Sequence, residues 1–259
     1  MVNLSKFFCV AFGAAVFLTG CKGKDGDPGP AGATGAAGTP GQNLTGTLFG
    51  FVAPVDEYGN ALAKSGVTVT LEGVTPAATT TTNADGRYEF TNLRNGTYNL
   101  SFTRAGLANV RRLGIAHVGG DQPTFLGTNS ISAPSTTTVG AISVTNIAVT
   151  GITLSIPYSN PGAPVGSFVR LALYAGANSG TNSANGTLLT TVSSTANPLT
   201  FTLSKATFNS AGFASGTAVY LVAYGAPASL TGFIDPLTGR VIYSGLSANS
   251  SNQLVFIVP

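Results

Sequence analysis

Hydrophobic residues follow two different patterns along this chain. Near the start, Phe7 to Leu18 is an apolar run broken only by Gly13, with Lys6 before it. A bilayer-spanning helix needs about 20 apolar residues, so this run is too short. It reads as the apolar segment of a secretory signal peptide over residues 1–20. From residue 44 the pattern changes to period two. Leu48 to Val52 predicts a first strand, and Val67, Val69 and Leu71 alternate with threonines. Thr79 to Thr82 is a further β-prone run, and Tyr98, Leu100 and Phe102 alternate with Asn99 and Ser101. Such alternation marks half-buried strands. Asn83-Ala84-Asp85-Gly86 predicts a tight hairpin turn into a return strand at Tyr88-Glu89-Phe90. Asp56 to Asn60 and Asn95-Gly96 are further turns, with Gly86 and Gly96 relieving backbone strain. Tyr88, Phe90, Tyr98 and Phe102 have the size and spacing of core residues. No stretch between 44 and 135 carries a helical period.

The period of two continues from residue 136. Strands are predicted at Val139 to Val144, Ile152 to Pro157, Phe168 to Tyr174, Leu188 to Val192, Leu199 to Leu203, Val219 to Tyr224, Val241 to Tyr243 and Leu254 to Val258. Clusters of Gly, Asn, Pro and Ser separate them, and Asp235 to Gly239 reads as a hairpin turn. In the Phe168 strand, Val169, Leu171 and Leu173 face one way; Phe168, Arg170, Ala172 and Tyr174 face the other. The expectation is an all-β protein of two tandem β-sandwiches, residues 44–135 and 136–259.

Composition sharpens this. Charged residues are 8% of the chain against 43% hydrophobic, which excludes a disordered polyelectrolyte. The formal charge of +3 includes Lys6 of the leader, so there is no basic footprint for nucleic acid. Arg111 and Arg112 are the only adjacent arginines and read as solvent-facing strand-end or loop residues. After residue 136 the only charged side chains are Arg170, Lys205, Asp235 and Arg240. That suits a surface meeting neutral partners such as glycans or other proteins.

Two features join the leader to the strands. Leu18-Thr19-Gly20-Cys21 resembles the bacterial lipobox, which implies cleavage before Cys21 and lipidation of that residue. Cys9 is lost with the leader, so the mature chain forms no internal disulfide. Lys22 after the cysteine implies, by similarity to enterobacterial sorting rules, the outer membrane, facing either the surface or the periplasm. Glycine then recurs every third residue from Gly23 to Gly41, a collagen-like Gly-X-Y repeat with Pro28, Pro30 and Pro40. Over residues 21–43, an extended monomeric tether and a trimeric stalk both remain open.

The segment from Val67 to Gly106 resembles the carboxypeptidase regulatory-like domain, a transthyretin-like sandwich. Its motifs are Val67/Val69/Leu71, Thr82 to Phe90, and Leu93/Gly96/Tyr98/Leu100/Phe102. The resemblance implies a structural module of the kind found in outer-membrane proteins of Bacteroidetes-type bacteria. It also implies a wider fold group that includes carbohydrate-binding sandwiches. Gly216 to Ala223 resembles a fibronectin type III segment with its tyrosine one place late, which implies an Ig/fibronectin III-like second sandwich.

Candidate chemistry is sparse. His117 is the only histidine, so a zinc site of several histidines cannot form. A Ser-His-Asp triad would have to use His117, with Asp121 close in sequence. Asp56, Glu57 and Asn60 offer three oxygens where calcium takes about 6–8. No catalytic residue, metal or cofactor is assigned, and Cys21 is the only site residue. The function expected is a non-catalytic, membrane-anchored lipoprotein displaying sandwiches for binding or adhesion to glycans or proteins. The alternative is a structural or accessory subunit of an outer-membrane complex.

Overall fold

The computed structural model describes residues 44–259. Cys21, the leader and the Gly-X-Y segment lie outside the described residues. The first sandwich is built from β1 (Thr45–Val55), β2 (Thr68–Glu72), β3 (Ala78–Thr81), β4 (Arg87–Arg94), β5 (Gly96–Thr103), β6 (Val110–His117) and β7 (Thr124–Ser132). One sheet has the order β4-β1-β7 and the other β3-β2-β5-β6. β1 is the central strand of its sheet, antiparallel to β4 and parallel to β7. Leu48, Val52, Val69, Leu71, Leu100, Phe102 and Ile131 fill the space between the sheets. Tyr88 crosses it, with its ring edge-on to Phe102 at 5.5 Å. Burial pushes the Tyr88 hydroxyl up to about 12, and its oxygen accepts from Asn129 Nδ2 at 3.2 Å.

Three expectations change here. The Asn83–Gly86 turn closes as predicted, with the Gly86 N–H on Asn83 O at 3.0 Å. It does not make a β3–β4 hairpin, because β3 pairs with β2 and β4 with β1. The turn carries the chain from one sheet to the other. Gly96 is not in the left-handed region; Asn92 is, at φ 54°, the one non-glycine with positive φ among the described residues. Tyr98 is half-buried at the edge of the core, and its hydroxyl donates to Arg94 O at 2.8 Å.

The second sandwich contains β8 (Thr138–Val139), β9 (Ser143–Ala148), β10 (Gly151–Ile156), β11 (Tyr158–Ser159), β12 (Val169–Gly176), β13 (Thr187–Ser194), β14 (Leu199–Ser204), α1 (Lys205–Ser210), β15 (Ala218–Ala226), β16 (Gly232–Ile234), β17 (Val241–Tyr243) and β18 (Leu254–Ile257). A three-stranded sheet, β14-β10-β9, faces a four-stranded one, β13-β12-β15-β18. The chain crosses between them from β10 to β12, from β13 to β14 and from β14 to β15, and β15 and β18 pair within one sheet, which is an Ig/fibronectin III-like arrangement. Ile152, Leu154, Leu171, Leu173, Leu203 and Leu221 form its core. α1 was not expected. Ser204 caps it by accepting from the Thr207 N–H, and Phe208 anchors it in the core.

The two faces of β12 divide as expected, Val169, Leu171 and Leu173 to the core between the sheets and Ala172 and Tyr174 to the other side, and that other side is partly covered. Phe168 is exposed, but Ala172 and Tyr174 are buried with Val222 and Tyr224 in a cluster of their own. The segment between β15 and β18 folds back over this face, bringing Leu230, Tyr243 and Leu246 onto it. The same segment reaches the first sandwich. Ser132 Oγ donates to Ser229 O at 3.0 Å, and Thr231 Oγ1 donates to Ser130 O at 3.1 Å. Ser244 Oγ donates to Asn109 O at 2.6 Å. The Arg111 guanidinium lies 5.4 Å from the centre of the Phe233 ring.

Glu57 adds a separate link. Its carboxylate accepts from the Thr136 N–H at 2.7 Å and from the Thr136 hydroxyl at 2.6 Å. The paired contacts tie the β1–β2 loop to the entry of the second sandwich. Glu57→Ala is expected to cost about 1 kcal/mol, read as a lower urea midpoint at unchanged slope. An unchanged midpoint would show that the contact adds nothing in solution.

Candidate functional site

The alternation of β1 sets up the site. Leu48, Gly50 and Val52 point into the core, so Phe49 and Phe51 point out. Gly50 is required where it stands: a Cβ there would lie 2.6 Å from the Tyr88 hydroxyl beneath it. On the parallel neighbour β7, Phe125 is the register partner of Phe49. Their rings stack at 5.0 Å and 28°, and Phe51 stands edge-on to both, at 6.5 and 6.2 Å. Phe125 is 57% exposed. On the other side, β4 places Glu89 opposite Phe49 and Arg87 opposite Phe51. The Arg87 guanidinium sits 4.8 Å from the Phe49 centroid and pairs with Glu89.

The result is an open cleft of about 470 Å³ on the outer face of the sheet. Phe49, Arg87, Glu89, Asn92, Asp121 and Pro123 line it. Phe49 is the one ring among its lining residues, set among a guanidinium, two carboxylates and an amide, and Phe51 and Phe125 lie beside the cleft. Such a surface can stack on a flat apolar face and hydrogen-bond a ring of hydroxyls in both directions. Asn92, the left-handed residue, is at this rim, where a conformation uncommon outside glycine bends the end of β4.

The residues singled out by sequence lie elsewhere. Buried His117 ends β6. Its Nδ1 is 2.7 Å from the Thr124 hydroxyl and its Nε2 3.1 Å from Leu93 O. A neutral ring satisfies both, with Nε2 donating to the carbonyl and Nδ1 accepting from the hydroxyl. Asp121 belongs to the cleft instead. The Asp56 carboxylate accepts from the Tyr58 N–H at 2.9 Å, from the Asn60 N–H at 2.8 Å and from the Asn60 side-chain amide at 2.8 Å. Desolvation alone would raise this carboxyl, but those bonds outweigh it and hold it below its ordinary value. Asp56 thus closes its turn while Glu57 turns to Thr136, and the two carboxylates do not converge with Asn60 on a shared point. Among the described residues no cluster of three His, Cys, Asp or Glu is placed to hold a metal.

Arg111 and Arg112 are not free strand ends. Both lie within β6; Arg111 forms a bidentate pair with Glu72, and Arg112 donates to Leu126 O. The three phenylalanines escaped the sequence reading. The available signal was the alternation of β1 itself, which places Phe49 and Phe51 opposite Leu48 and Val52.

No curated protein matches this chain. Among solved structures, a candidate carbohydrate-binding protein from Bacteroides uniformis aligns over 82% of this chain and 98% of its own, at 13% identity and TM-score 0.31. A DUF3823 family protein from the same organism aligns over 83% and 100%, at 12% identity and TM-score 0.30. A type II cohesin–X-dockerin complex from Acetivibrio cellulolyticus aligns over 34% of this chain at 21% identity and TM-score 0.28, and the match spans only 58% of that chain. These are distant likenesses. The family match is more specific: residues 47–150, which include nearly all of the first sandwich and its aromatic face, match the carboxypeptidase regulatory-like domain.

Proposed function

We propose that this chain is a non-catalytic, lipid-anchored saccharide-binding protein that meets its ligand through the outer face of the β4-β1-β7 sheet. The observation that carries this reading is the stack of Phe49 on exposed Phe125, bordered by Arg87 and Glu89. A pyranose ring has an apolar C–H face and a rim of hydroxyls. The phenylalanine floor suits the first, and Arg87, Glu89, Asn92 and Asp121 suit the second. A Ser-His-Asp triad finds no support, because His117 spends both ring nitrogens on Thr124 and Leu93.

The soluble protein beginning at Lys22 is the reagent for the test. On a glycan array it should give selective signals that Phe125→Ala loses, and cells lacking the protein should adhere less to the same glycans. An array without selective signal, together with unchanged adhesion, would remove the basis for this function.

The anchor and the outer-membrane location rest on Leu18-Thr19-Gly20-Cys21 and Lys22. Several acyl chains at about 0.8 kcal/mol per buried CH₂ give lasting attachment. Cys21→Ser is therefore expected to abolish incorporation of labelled palmitate and to release the protein from the membrane fraction, or to leave it there uncleaved and unlabelled. Undiminished label in the variant would refute the assignment.

A further inference from the structure

The charges of the cleft beside Phe49 do not cancel. Arg87, Glu89 and Asp121 are its charged lining residues. Arg87 is already matched twice: it pairs with Glu89, and its guanidinium lies 4.8 Å from the centre of the Phe49 ring. Asp121 is exposed, and neither of the two ion pairs among the described residues includes it. Its place is nevertheless fixed. The Gly120 N–H donates to Thr45 O at 2.9 Å, which ties the loop before β7 to the start of β1. Gly46 permits this approach, since a Cβ there would lie 2.9 Å from Gly120 O and 3.0 Å from Gly119 Cα. Asp121 is thereby held at the same cleft as Phe49.

With Arg87 and Glu89 offsetting each other, the lining carries one unmatched negative charge. A uronate or a sulfated sugar would bring a second anion to it. A neutral sugar would leave Asp121 without a counter-charge. A sugar with a protonated amine would supply one, and the negative faces of nearby aromatic rings favour a cation as well. We propose that the ligand is an amino sugar with a free amine, a glucosamine-type unit, whose ammonium meets Asp121 while its ring lies against the aromatic face. This inference rests on the saccharide-binding reading of that face and adds the charge class of the ligand. The chain as a whole is positive, at +3, so its net charge repels such a ligand and any preference for it must come from the site.

Titration calorimetry of the protein beginning at Lys22 tests this with three β-1,4-linked tetrasaccharides, of glucosamine, of N-acetylglucosamine and of glucose. At about pH 6 an amine of this kind is largely protonated. The glucosamine tetramer should bind about two- to fivefold tighter than either neutral one, the range of a solvent-exposed ion pair. Asp121→Asn should bring the affinity ratio of the glucosamine and glucose tetramers close to one, and Asp121→Lys should invert it. Phe125→Ala should weaken all three tetramers alike. Equal affinities in the wild type would overturn the charge assignment while leaving saccharide binding in place, as would a preference for glucosamine that survives in Asp121→Lys. Failure of all three to bind would overturn it too, and the glycan array then decides separately whether the saccharide-binding reading stands.

Discussion

Phe125→Ala should weaken saccharide binding about tenfold or more, a loss of roughly 1.4 kcal/mol or greater. Phe125 is 57% exposed and stacked on Phe49, so the ring offers its free face to a ligand while its other face is supported. Truncation removes the stacking surface and also frees Phe49 to move. The cost to folding is small because the ring is outside the core. A surface change of about 0.5 kcal/mol moves the melting temperature of a chain this size by roughly 1–2 °C. Isothermal titration and thermal melting on the same preparation separate the two effects. Retained affinity would mean that the aromatic face is not the recognition surface, and a collapse of the melting temperature would mean that the ring supports the fold.

The largest effect on stability is expected at Gly86. Its φ is +82°, and a Cβ there would lie 2.4 Å from Val52 O. The Gly86 carbonyl also receives the Val52 N–H at 2.8 Å, so the turn cannot move outward without giving up that bond to the central strand. Left-handed strain costs a non-glycine residue about 1–3 kcal/mol, and the clash with backbone adds to it. Gly86→Ala should therefore lose roughly 3 kcal/mol or more, a large share of a typical 5–15 kcal/mol. Gly66→Ala is the control, since Gly66 has φ +78° but no neighbour within 4 Å of its added Cβ. It should show the strain alone, about 1 kcal/mol. Equal losses in urea unfolding would mean that the Val52 contact is unimportant.

Local chemistry was legible in the sequence, and long-range partnership was not. Asn83-Ala84-Asp85-Gly86 announced a turn because φ, ψ and a short hydrogen bond are settled within four residues. Which sheet each flanking strand joined was settled by β1 and β2, far away in the chain. The same holds for the aromatic face. Period two placed Phe49 and Phe51 opposite Leu48 and Val52, but only the parallel register of β1 with β7 puts Phe125 beside them. No periodicity encodes that register. Tyr174 was expected to face away from Leu173, and it does. It is buried because the segment after β15 returns over it, an event that the β12 sequence cannot report. α1 is six residues long, too short to show a period of 3.6. Gly96 was expected to relieve strain in the turn after β4, but the left-handed residue is Asn92, inside β4 where its register against β1 shifts.

The position of β1 has a mechanical consequence. The strand begins at Thr45, holds two of the three rings of the aromatic face, and is bonded on both sides along most of its length. A ligand pulling on Phe49 and Phe51 therefore loads the same strand that would carry a pull from its N-terminal end. A load between ligand and N-terminus would pass along a single strand and leave the rest of the sandwich under little tension.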